Sequence, residues 1–169
     1  TLISTQAARG VRSHFNMSTA LDASIAAVMG LTISLNTLVV GYVLWRTLRR
    51  PPSLAPAYRL GIWLGLTLFL LASLEGALMV VYGAHSVGVP PDSAGLPLLN
   101  WHSEGGDLRV AHFVGLHGLQ ALPLAGYLAT RWTDTARRAL AAVSLVAFLY
   151  GVFTVLTFVQ AILGIPLFF

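Results

Sequence analysis

The chain has no cysteine, no lysine and little charge of either sign: 9% of its residues are charged, against about 25% in an ordinary soluble domain. Without cysteine there is no disulfide, no zinc–thiolate site and no thiol nucleophile. Without lysine, every cationic side chain except a protonated histidine is an arginine. The arginines flank apolar segments and are not interleaved with aromatics on one face, which argues against nucleic acid as a partner. No P-loop, dinucleotide fingerprint, GxSxG elbow or EF-hand loop occurs. Nothing marks a signal peptide, and a chain that opens on Thr1 is expected to lack its original N-terminus.

What the chain has in abundance is apolar surface, with 56% hydrophobic residues. Four runs, at residues 23–45, 60–82, 110–129 and 139–163, are long enough to cross a hydrocarbon core of about 30 Å, which takes roughly 20 helical residues. The expectation is an all-α polytopic transmembrane helix bundle of four full spans forming a single membrane-embedded domain over residues 1–169. Residues 1–22 are read as a helix end and outer link, TLISTQAA being either the last turns of an earlier helix or a surface amphipathic helix.

Charge sets the expected orientation. Arg46, Arg49, Arg50 and Arg59 surround the connection between the first two spans, and Arg131, Arg137 and Arg138 that between the last two. The positive-inside rule places both connections in the cytoplasm, seven arginines against the three of Arg9, Arg12 and Arg109 outside. All five histidines, His14, His85, His102, His112 and His117, then fall outside or in the outer half of the membrane. The Gly/Pro-rich segment 83–107 becomes an outer loop. It is too long for a plain connection and is expected to fold over the helix ends as a cap, a linker anchored by Trp101 being the blander alternative.

The polar residues cluster where the third span begins, in GGDLRVAHFVGLHGLQ at 105–120. Asp107 is a natural N-cap for that helix. Arg109 opposes the positive end of the helix dipole and calls for a negative neighbour, whether Glu104, Asp107 or an anionic ligand. His117 and Glu75 both lie on the order of 12 Å below their helix ends at 1.5 Å per residue, so Glu75, His117 and Gln120, with Arg109 above them, form a candidate catalytic or proton-carrying pocket. A purely structural interhelical network is the competing reading. His112 lies about 140° round the helix from His117, and the i,i+4 spacing of an HExxH zinc site is absent. Instead His14, His85 and His112 come to similar depth on three segments. They are the expected metal ligands, with His85 and His112 as the pair for a cofactor such as haem, unless each sits singly at the wet interface. Gly61 and Gly65 form a GxxxG, and Gly115 and Gly118 flank His117; close helix packing is their expected role, although room for a flat ligand remains the alternative.

On QAARGVRSHFN (6–16), TALD (19–22), GAHSVG (83–88) and GGDLRVAHFVGLHGLQALPL (105–124), the chain resembles a family of uncharacterised bacterial polytopic integral membrane proteins. The resemblance implies a cytoplasmic (inner) membrane location, a longer N-terminus and no particular activity. Where that pattern runs from Trp straight to Ser, this chain has Trp101-His102-Ser103, which sets His102 aside as an essential ligand. The residues therefore suggest an outer-leaflet site able to hold a transition metal or haem, in a membrane oxidoreductase or a subunit of one. The alternatives are a proton-coupled transporter using Glu75 and His117, or an accessory subunit whose polar residues only join helices. The partners expected are the lipid bilayer and further membrane subunits.

Overall fold

The computed structural model describes residues 2–12, 16–90, 93 and 95–167. Five helices account for most of it: α1 (Leu2–Ala8), α2 (Ala20–Arg49), α3 (Pro56–Tyr82), α4 (Leu108–Trp132) and α5 (Ala136–Ile162). Two short strands, β1 (Ser86–Val87) and β2 (Gly106–Asp107), lie between α3 and α4. Contacts divide the chain into two units, Thr1–Val40 and Gly41–Phe169.

In the first unit the turn before α2 is organised by one carboxylate. The Thr19 hydroxyl accepts from the Asp22 amide (3.1 Å), as an N-cap side chain does, and donates to Asp22 Oδ2 (2.6 Å). Asp22 Oδ1 takes Gln6 Nε2 at 3.1 Å and the Arg9 guanidinium at 2.6 Å. Gln6 and Asp22 are both buried, so each burial is compensated by the other. Arg9, read from charge alone as one of the outer arginines, is thus a fixed partner of Asp22.

In the second unit α3, α4 and α5 pack side by side, and small residues set how close they come. A Cβ added to Gly61 would lie 2.3 Å from the Leu122 carbonyl oxygen, one on Gly65 2.7 Å from that of Gly118, and one on Gly126 2.5 Å from that of Ala57. The pairs run in opposite directions along the two chains, so α3 and α4 are antiparallel with their backbones almost in contact. This is the close approach expected of the GxxxG. The buried positions of α4, Ala111, Gly115, Gly118, Leu122, Gly126 and Ala129, recur every three or four residues and mark its packing face. On the α5 side, Thr154 meets Gly115 and the Tyr150 hydroxyl donates to the Val114 carbonyl at 2.7 Å.

Among the described residues three helices, α2, α3 and α5, are long and apolar enough to cross a membrane. The fourth expected span is not among them. α4 has 25 residues, a spanning length at 1.5 Å per residue, but Arg109, His112, His117 and Gln120 dilute its apolar character. Large side chains of α5 such as Phe148, Leu149 and Leu156 face outward, as lipid-facing positions do.

The segment joining α3 to α4 is tied down at both ends. Gly83 ends α3 in the left-handed conformation (φ 65°), which glycine adopts without strain. Ser86 and Val87 then pair antiparallel with Asp107 and Gly106. Further out, Gly95 bridges His102, and the Leu96 amide donates to the Trp101 carbonyl at 2.7 Å. Gly106 lies against the α5 backbone, where an added Cβ would come 2.0 Å from the Ala161 carbonyl oxygen. Trp101 meets Phe113 of α4 edge-on with 5.7 Å between centroids.

Candidate metal centre

The strand pair and the Gly95–His102 bridge bring three side chains together at one end of the second unit. His85 precedes β1, Asp107 ends β2, and His102 is carried on the loop between them. One donor atom from each of His85, His102 and Asp107 lies within 4.8 Å of the others. Two of the three are deeply buried, His102 at 3% and Asp107 at 5% exposure. The rings of His85 and His102 stack, with centroids 5.3 Å apart and planes 21° from parallel. His85 Nδ1 is 3.8 Å from Asp107 Oδ1.

Asp107 is the fixed point. As the N-cap of α4 it accepts from the Arg109 amide at 3.0 Å, and its other oxygen accepts from the His102 amide, also at 3.0 Å. The Arg109 guanidinium adds Nε at 2.9 Å and a terminal nitrogen at 2.6 Å, and also donates to the Asn100 carbonyl. Burial pushes the Asp107 carboxyl upward. The hydrogen bonds from Arg109 and from the His102 amide, with the guanidinium charge, more than offset this and hold it below its ordinary value. Arg109 thereby has the negative neighbour that its place in the helix demands.

His102 is the anomaly. Both its ring nitrogens are buried, and neither has a hydrogen-bond partner among the described residues. A neutral imidazole carries one donor and one acceptor, and leaving either dry and unpaired costs on the order of 1–3 kcal/mol. Donor atoms around a tetrahedral ion with bonds of about 2.0–2.2 Å lie roughly 3.4 Å apart, so the cluster needs only small side-chain adjustments to close on one. Two imidazoles and a carboxylate suit zinc or a similar divalent transition ion and leave coordination positions open.

The residues singled out from sequence divide accordingly. His85 and Arg109 belong to this cluster, Arg109 through Asp107. His112 does not join the donor set: its Nδ1 faces the Ala72 carbonyl at 2.7 Å and its ring lies against Gly76, where an added Cβ would come within 2.7 Å. His14 lies outside the described residues. No hydrogen bond joins Glu75 to His117 among the described residues. Glu75 is buried with Oε1 unbonded, whereas His117 is exposed and its Nδ1 faces its own helix carbonyl at Phe113 (2.7 Å). Gln120 is exposed.

His102, set aside from the sequence because the resembling pattern runs from Trp straight to Ser, is the third member of this cluster. The available signal was its position five residues before Asp107, in a loop whose ends are joined by strand pairing. The chain matches no family model, no curated protein and no solved structure. What geometry defines is an all-helical protein with membrane-length apolar helices and a His/Asp cluster at one end of its second unit.

Proposed function

We propose that this is an integral membrane protein that holds one divalent transition-metal ion at His85, His102 and Asp107. The observation that carries the reading is the buried His102 ring, with neither nitrogen hydrogen-bonded among the described residues, beside a second imidazole and a carboxylate. Asp107, oriented by Arg109 and two backbone amides, supplies a fixed negative ligand. Such outer-shell contacts tune a metal site as much as the ligands themselves. Positions left open on the ion suit it to bind or activate a small ligand.

The test is metal content of the purified protein in detergent, after chelation and reloading with zinc and removal of free ion. One zinc per chain is expected in the parent and in His112→Ala, and a loss of at least tenfold in affinity in His102→Ala and His85→Ala. Retention by the last two with loss in His112→Ala would restore the ligand set expected from sequence and refute this one. Asp107→Asn keeps the shape of the cap while weakening the ligand, and guards against a result due to misfolding.

A further inference from the structure

The opposite end of the second unit carries a different chemistry, independent of the metal reading. Arg46 and Arg49 lie in the last turn of α2, Arg50 follows them, Arg59 is in the first turn of α3, Arg131 in the last turn of α4, and Arg137 and Arg138 in the first turn of α5. Antiparallel packing gathers the α3, α4 and α5 ends: Ala57, Ala129, Ala139 and Val143 share one small core. One acidic residue, Asp134, lies among these seven arginines, and it pairs with Arg138 at 2.6 Å. Among the described residues no carboxylate contacts the other six. Three of the seven, Arg59, Arg137 and Arg138, sit at helix N-termini whose first turns carry no acid, where a cation opposes the macrodipole. Arg59 also has a buried Nε without a hydrogen bond.

Aromatic residues stand at the same level. Trp132, next to Arg131, is 77% exposed; Tyr42 and Trp45 pair one turn before Arg46 and Arg49, and Tyr58 meets Tyr127 edge-on. An aromatic belt beside arginines of which Arg138 pairs with Asp134 and Arg59 lies over the Trp63 ring, at the ends of membrane-length helices, marks the headgroup layer of a bilayer. We infer that this end of the molecule is a docking surface for anionic phospholipid, the phosphodiester meeting the arginines and the acyl chains lying along the apolar helices.

The experiment uses the full chain in nanodiscs, whose two faces are both accessible, with phosphatidylcholine replaced stepwise by phosphatidylglycerol. The melting temperature is expected to rise by at least about 2–4 °C, to saturate with phosphatidylglycerol fraction and to fall back with added salt. Arg137→Gln with Arg131→Gln, both exposed positions, should remove at least half of the rise. Enrichment of spin-labelled phosphatidylglycerol over phosphatidylcholine around the parent protein gives a readout that needs no variant. An equal melting temperature in both lipids, an unchanged rise in the double variant, or no enrichment would overturn the inference. So would full reproduction of the rise by inorganic phosphate in phosphatidylcholine, which would make this a site for a soluble anion.

Discussion

At the scale of single residues, Arg109 decides whether Asp107 is tolerable where it is. A buried carboxylate deprived of its cation is strongly destabilising, and the partial exposure of Arg109 moderates the loss to about 2 kcal/mol. Arg109→Ala should therefore lower the thermal midpoint in detergent. Arg109→Lys should recover only part of the difference, because an ammonium cannot grip the carboxylate side-on and reach the Asn100 carbonyl as well. Full recovery by lysine would mean that charge alone matters there. The cap role of Asp107 and the need of Arg109 for an anion were readable from the residues, since both follow from the dipole of the helix they begin. His102 was set aside on the resembling pattern, and its place beside His85 arises only when β1 and β2 pair and return the loop. Depth along the helices did not show which way Glu75 and His117 face: Glu75 is buried, whereas His117 is exposed with its Nδ1 against the Phe113 carbonyl. Rise along a helix gives depth but not direction, and the small-residue stripe through Gly115 and Gly118 turns α4 so that His117 is exposed.

At the scale of helices, the antiparallel contact of α3 with α4 depends on glycine. Gly61→Ala would drive a methyl group into the Leu122 backbone, which cannot rotate away, so the helices must separate at a cost of roughly 1–3 kcal/mol. Gly30→Ala, at a position with nothing within 4 Å, should be neutral or slightly stabilising, as alanine is the better helix former. Thermal melts of the two variants check the contrast, and equal behaviour would contradict the packing. Helix positions and the GxxxG contact were legible because period and composition encode them. Whether α4 spans was less so, since the same polar side chains that made it a candidate site wall also remove its apolar signature.

At the scale of the whole molecule, one end of the second unit is arginine-rich and the other holds the His/Asp cluster, with α3 running about 40 Å between them. Ser53→Cys and Ser93→Cys should accordingly label with an impermeant reagent from opposite sides of sealed membranes, Ser53→Cys from the cytoplasmic side. Labelling of both from one side would contradict a spanning α3, and Ser53→Cys labelling from outside would invert the orientation drawn from the arginines. The central claim is the metal centre, and the most direct measurement of it is a cobalt(II) titration of the chelated protein followed by visible absorption. The predicted result is a saturable set of d–d bands at one ion per chain, abolished or markedly altered in His102→Ala and unchanged in His112→Ala; featureless spectra, or bands indifferent to His102, would contradict it.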